Sequence, residues 1–266
     1  MKQELMSKMN EASWNQSAYE AWVHRHGRPQ EYAQILKKNP RKAVQDYLKY
    51  IQKVEGKKIA NLLGSKGNKA VSFALLGADV TVVDISKSNR NYAVELAKHA
   101  EVDLEYIVSD VLTIPRDQQL VNFDYVLLEL GVLHYFVELQ PLFQFVCNAL
   151  KEGGTFILRD YHPMVSKLMR VEENKMVASG NYFESNIVDE KVAYHFLLSE
   201  DEGALLEKQV KLRRWTLGEV VTELSKAGMK IELLEEESGN RWALPVHSPE
   251  GAENQLPALY TLIAQK

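Results

Sequence analysis

Cysteine is nearly absent from this chain of 266 residues: Cys147 is the only one. An intramolecular disulfide and a multi-thiolate zinc site are therefore excluded, and a reducing compartment is indicated. Nor is there a run of roughly 18 uncharged apolar residues of the kind that spans a bilayer. The opening MKQELMSKMNEASWNQSAYE has no apolar core like that of a secretory signal. These features predict a cytoplasmic protein without membrane attachment. Glycine and proline number only 14 and 8, which excludes collagen-like and low-complexity architectures. A net positive charge is also missing; at −4 the whole molecule is not built to neutralise a phosphate backbone.

What is present is the composition of an ordinary globular protein, 45% hydrophobic and 26% charged. The length suits one large domain. Residues 1–58 carry 12 Lys and Arg against 6 Asp and Glu, whereas the remainder carries 20 against 30. The basic amino-terminal part, with Lys37, Lys38, Arg41, Lys42, Lys49 and Lys53, reads as a solvated helix face because no aromatic set accompanies it. From Glu11 to Ile51, apolar residues at spacings of three and four predict two or three helices, divided at Gly27-Arg28-Pro29 and Asn39-Pro40.

After Gly56 the texture changes. Short apolar runs at 58–63, 79–83, 104–108, 123–128 and 154–158 alternate with helical patterns, including one from about Ser88 to His99 and one at 138–150. This alternation predicts βαβ units and a doubly wound α/β fold whose parallel sheet is covered on both faces. Ligands then bind beyond the carboxyl ends of the strands. Residues 161–212 break the rhythm, with extended segments predicted at 180–183, 192–198 and 209–212, and read as a small antiparallel cap. A helix at 216–227 and strands at 229–234 and 259–264 complete the sheet, the last two pairing antiparallel. The predicted organisation is thus a helical segment at 1–55 covering the site, a cofactor-binding half at 56–160, the cap at 161–212 and the end of the sheet at 213–266.

The first strand runs into Gly64-Ser65-Lys66-Gly67 at the mouth of a helix, and Asp84 follows at the tip of the second strand, 20 residues after Gly64. Backbone N–H groups beside small residues, with a carboxylate able to accept from a ribose diol, point to a nucleoside-containing cofactor. Only two glycines three apart are present, so the dinucleotide fingerprint is not met and a nicotinamide-dependent oxidoreductase is disfavoured. Walker A residues are absent too.

The stretches KIANLLGSKGNKAVSFALLGADVTVVDIS, YIVSDVL, FDYVLLELGVLHYF and LKEGGTFILRDYHP together resemble the class I, Rossmann-like S-adenosylmethionine-dependent methyltransferases of the small-molecule type. RRWTLGEVVTELSKAGMKIELLEE and LPALYTLIAQK are similar to the late helix, strand and reversed last strand of that family. The resemblance covers about residues 56–264 and implies a seven-stranded sheet, mostly parallel with an antiparallel last strand, and S-adenosylmethionine as cofactor. It implies that Asn61, Gly64, Ser65 and Gly67 face the methionine portion and that Asp84 holds the ribose. Ile85 would pack on the adenine, Asp110 with Val111 would receive its amino group, and Glu129-Leu130 would meet the cofactor after the fourth strand. The sequence departs from the family at Asn61, where an acid is usual, and at Leu63 and Ser65, where glycines are usual.

Methyl transfer is an in-line displacement that needs positioning, exclusion of water and, for a hydroxyl or protonated amine, a base. His162, after the fifth strand, and His134, in Gly131-Val132-Leu133-His134, are the candidates. Trp14, Tyr19 and Trp22 could close over a sulfonium by cation–π contact, which makes Tyr19 a cofactor-binding candidate. Arg213 and Arg214 could meet an acidic substrate but read more readily as a solvated or helix-adjacent pair, Glu235-Glu236-Glu237 as a solvated turn and Cys147 as core. The readings carried forward are a methyltransferase acting on a small molecule, a cofactor-binding relative without turnover, and an RNA methyltransferase using the basic helices. No Asn/Asp-Pro-Pro-aromatic tetrapeptide follows the fourth strand, so methylation of nucleic-acid bases is disfavoured. A homodimer is compatible with the sequence but not specified by it.

Overall fold

The computed structural model describes all 266 residues, Met1–Lys266. Four helices open the chain: α1 (Gln3–Trp14), α2 (Ala18–His26), α3 (Pro29–Lys38) and α4 (Pro40–Leu48). Prolines begin α3 and α4, where a missing N–H costs nothing, and the Asn39 side chain accepts the Lys42 N–H at 3.2 Å. The expected two or three helices from Glu11 are thus corrected to four from Gln3. The extra helix, α1, buries Ser7, Asn10 and Ser13 along with Met6, so its inner face lacks the apolar periodicity that marks a helix in a sequence.

The βα rhythm follows: β1 (Lys58–Leu62), α5 (Asn68–Leu75), β2 (Asp79–Asp84), α6 (Lys87–Ala100), β3 (Glu105–Val108), β4 (Phe123–Glu129), α7 (Gln140–Ala149) and β5 (Leu150–Tyr161). Helix α6 is capped by Ser86, whose hydroxyl accepts the Asn89 N–H at 3.1 Å. Residues 161–212 hold a hairpin of β6 (Met169–Glu172) and β7 (Lys175–Ala178), then β8 (Val188–Glu190), the short helix α8 (Glu200–Ala204) and β9 (Val210–Leu212), which pairs antiparallel with β8. The predicted extended segments at 180–183 and 192–198 are not strands. Residues 195–197 form a 3₁₀ turn while Val192 and Tyr194 are fully buried against the amino-terminal helices, so packing takes the place of sheet pairing there. Helix α9 (Leu217–Lys226), capped by Thr216, leads to β10 (Lys230–Glu237) and β11 (Leu259–Gln265).

The seven-stranded sheet has the order β3-β2-β1-β4-β5-β11-β10. Neighbours from β3 to β5 are parallel, and β11 is antiparallel to both β5 and β10. Alternate residues feed two cores: Val126, Leu128 and Leu158 face α7 and α9, while Leu127, Ile157 and Val82 meet Tyr47 of α4 and Phe73 of α5. Burial on both faces is why these strands read as continuous apolar runs. Glu235–Glu237, expected as a solvated turn, belong to β10. Glu237 accepts from buried Arg159 at 2.6 Å and from Thr261 at 2.7 Å, so the charge is stabilised inside the sheet edge. No helix is long and apolar enough to cross a membrane.

Candidate active site

Strand order reverses between β1 and β4, and the carboxyl ends of those strands open a crevice where a doubly wound sheet receives ligands. A cavity of about 290 Å³ lies there, near the lower limit of the roughly 300–1,000 Å³ usual for small-molecule sites. Its floor is the loop after β1, the ends of β2 and β4 and the turn after β3; its roof is Gln3, Ser7, Asn10 and Trp14 of α1 with Trp22 of α2. Spacings of four, three and four put the α1 residues on one face of the helix. From residues 161–212 the cavity receives only Tyr161 and Ala193.

The loop after β1 makes a tight turn. Leu63 (φ 49°), Ser65 (φ 49°) and Gly67 (φ 71°) all adopt left-handed backbone. Two of these three positions would suit glycine and carry a side chain instead, at a cost of about 1–2 kcal/mol each. Gly64 is needed for close approach, since a Cβ there would lie 2.8 Å from Val82 and 2.9 Å from the Asn61 oxygen. Beneath it Asn61 is fully buried, and neither end of its amide has a hydrogen-bond partner; the Ser65 hydroxyl is likewise unpartnered. Asn61 is not on the cavity wall. Gly67 is not either: it caps α5 and packs on α6, where an added Cβ would meet that of Ala93 at 2.8 Å. Gly67 therefore serves helix packing and stands outside the cavity wall.

Asp84 is 7% exposed and lines the cavity. Its carboxylate accepts from the N–H groups of Ser65 and Ser86, each at 2.9 Å, and from the Asn89 amide at 3.1 Å. Three of about four acceptor sites are thus filled, leaving room for one further donor rather than the two of a diol. Burial raises its pKa, opposed by those three bonds. Asn89 in turn accepts the indole N–H of Trp22. Ile85, Asp110, Val111 and Leu130 also line the cavity, and Asp110 orients the following turn by accepting the Leu112 N–H at 2.9 Å. Glu129, at the end of β4, accepts a hydrogen bond from the Tyr47 hydroxyl and lies 3.6 Å from the Lys69 ammonium.

Of the two histidines, only His134 reaches the cavity. It is half-buried beside Tyr135, and burial, with Arg214 nearby, lowers its pKa to about 3. His162 is buried outside the cavity wall. Its Nδ1 accepts the Met164 N–H at 3.1 Å, and its Nε2 lies 2.9 Å from Glu236 in poor hydrogen-bond alignment. Continuation of β5 to Tyr161 and the docking of the next residues on Ala258 turn this ring toward β10 instead of the site. Tyr19 is also removed from the cavity: its hydroxyl donates to Glu95 at 2.8 Å and its ring packs edge-on against Tyr92 of α6. Trp14 and Trp22 do reach it. Arg213 stacks over Trp215 at 3.5 Å and pairs with Glu219, and Arg214 pairs with Glu190, so neither lines the cavity.

Sequence reasoning does not single out Gln3, Ser7 and Asn10, whose polar character hides their burial, nor Tyr47, which looks like core. Lys66 is visible inside the glycine loop, yet nothing local tells that its ammonium lies 4.4 Å over the Trp22 ring.

The model of the methyltransferase domain matches residues 63–158. No curated protein matches the chain. Among solved structures the chain is similar to an S-adenosylmethionine-dependent methyltransferase from Mesorhizobium loti, at 21% identity over 84% of this chain and 96% of that one, with a TM-score of 0.64. A putative S-adenosylmethionine-dependent methyltransferase from Listeria monocytogenes gives 19% identity, 84% and 96% coverage and a TM-score of 0.62. Magnesium protoporphyrin IX methyltransferase from Synechocystis PCC 6803, solved with bound S-adenosylhomocysteine, matches over 98% of this chain and 99% of its own at 12% identity, with a TM-score of 0.59. At these identities the likeness is one of fold, a seven-stranded sheet whose single reversed strand lies between β5 and β10, and residues 63–158 within it match the methyltransferase domain.

Proposed function

We propose that this protein transfers a methyl group from S-adenosylmethionine to an uncharged small molecule. The observation that carries the reading is the roofed cavity at the β1/β4 switch point, with Asp84 and Glu129 ending β2 and β4 and Asp110 two residues past β3. The residues fit the cofactor. Asp84 has one free acceptor site for a ribose hydroxyl, Ile85 and Val111 offer apolar faces to an adenine, and Asp110 can accept from its amino group. Ser65, whose hydroxyl is unpartnered, stands on the cavity wall in the loop after β1.

When bound, this cofactor supplies an electrophilic methyl group. Around it the chain's task is alignment and exclusion of water, which α1 and α2 favour by closing the crevice. The wall beyond the strand ends and the loop carrying Lys66 and Lys69, formed by Gly131, Val132, His134, Phe136, Tyr161 and Ala193, carries no charged side chain at neutral pH, which supports an uncharged acceptor. His134 accepts the acceptor's proton in this reading. For a hydroxyl acceptor a weakly basic imidazole suffices, because the proton on that oxygen becomes strongly acidic as the new bond to methyl forms.

Calorimetric titration with S-adenosylmethionine and S-adenosylhomocysteine tests the cofactor assignment. Micromolar binding is expected, weakened by about 1–3 kcal/mol in Asp84→Ala. Absence of heat with both ligands would exclude the reading; with binding established, methyl transfer to uncharged small acceptors over acidic ones is the second expected result.

A further inference from the structure

The amino-acid end of the proposed cofactor is a zwitterion, and a buried zwitterion needs an anionic and a cationic partner. Strand β1 supplies no anion, because Asn61 is neutral and lies behind the cavity wall. One strand over, β4 does. Asn61 is in register with Leu127, so Glu129 sits two residues further along the neighbouring strand, on the cavity wall. Its Oε2 takes the Tyr47 hydroxyl and faces Lys69, whereas its Oε1 has no protein partner. Tyr47 is fully buried, and burial together with Glu129 pushes its pKa well above the usual phenol value, so it remains a donor.

The cation is in the loop itself. Lys69 is turned to Glu129, but Lys66 pairs with no carboxylate; it lines the cavity and is held over the face of Trp22. Burial lowers its pKa to about 8, which leaves it mostly protonated at neutral pH.

We infer that the acid missing from β1 is replaced from β4: Glu129 takes the ammonium of the cofactor's amino-acid end and Lys66 takes its carboxylate, with Tyr47 positioning the first and Trp22 the second. The inference rests on the methyltransferase reading and deepens it. It also explains how Asn61 can stand where an acid is usual in the family.

Three probes separate the groups: S-adenosylhomocysteine with both charges, its decarboxylated analogue with the ammonium alone, and 5′-methylthioadenosine with neither. In calorimetry, Glu129→Gln should weaken the first two roughly 10- to 100-fold and leave methylthioadenosine unchanged. Lys66→Met should weaken S-adenosylhomocysteine alone by a similar factor. Tyr47→Phe should repeat the Glu129→Gln pattern at smaller size, which loss of fold stability by itself would not do, since that would affect methylthioadenosine equally. Equal losses for all three probes, or no loss, would overturn the inference while leaving the cofactor site standing. A wild-type protein that binds none of the three would overturn the methyltransferase reading with it.

Discussion

Trp22 donates its indole N–H to the side-chain oxygen of Asn89 at 2.8 Å, joining the amino-terminal helices to the carboxylate that Asn89 in turn holds, Asp84. Both partners are buried. Trp22→Phe keeps an aromatic ring but strands the Asn89 oxygen, which costs about 1–3 kcal/mol. Urea unfolding should report that loss, and a cycle with Asn89→Ala should show a coupling of about 0.5–3 kcal/mol. Strictly additive losses would mean that the bond does not tie roof to site.

Ser65 carries both a left-handed backbone and a buried hydroxyl with no partner. Ser65→Gly relieves both, and the gain should exceed the roughly 0.4–1 kcal/mol that glycine adds to unfolded-chain entropy. A net stabilisation of about 1 kcal/mol is expected, read as a higher melting temperature, with the N–H bond to Asp84 kept. A lower melting temperature would show that the serine is favoured in this turn.

His134, with its pKa lowered to about 3, stays neutral across the physiological range. The ring's NMR shifts should therefore hold their neutral values from pH 8 down to about 5. With an identified acceptor, His134→Ala should lower kcat by a factor on the order of 10²–10⁴ while kcat/KM shows no inflection belonging to this ring near pH 6.5. An unchanged kcat would remove the proton-accepting role.

Asp160 anchors the segment after β4: it accepts the N–H groups of Gly131 and Tyr161 and is 5% exposed. Burial raises its pKa to about 6 from 3.8, against the pull of the N–H groups around it. Between these values the folded state binds more protons than the unfolded state, so the contribution of Asp160 to stability falls as pH rises from about 4 to 6. The His134 contribution runs the opposite way over pH 3 to 6.5, because a lowered histidine pKa makes folded protein bind fewer protons. The difference in unfolding free energy between wild type and Asp160→Asn isolates the first group. It should decline by on the order of 3 kcal/mol from pH 4 to 6 and then level off; a flat difference would refute the assignment.

Physical cause separates what was legible in the chain from what was not. The strands between residues 58 and 161 announce themselves because both faces of the sheet are covered, which forces unbroken apolar runs, and Thr216 marks a helix start by local capping. Helix α1 is obscured because its buried face is polar: Asn10 and Ser13 bond to the backbone of Lys211 and Gln209, 201 and 196 residues away. Glu237 looks solvated until Arg159, distant in sequence, arrives beside it.

The same division runs through the site. Asp84, Asp110 and Glu129 could be placed from sequence, because a polar residue ending an apolar run marks a strand's carboxyl end, and the fold class fixes what gathers there. Which of two aromatics or two histidines faces the cavity could not be read in this way. Tyr19 and Trp22 share one helix, and only the docking of α2 on α6 sends the first to Glu95 and the second to the roof. His134 and His162 each follow a strand, and only the course of the chain past Tyr161 withdraws the second. The sequence by itself determined the sheet and the acidic strand ends, since both depend on burial patterns and turns within a few residues. The roof, the Tyr47–Glu129 and Trp22–Lys66 contacts and the choice of histidine were decided by tertiary structure alone, because each depends on side chains brought together from separate elements.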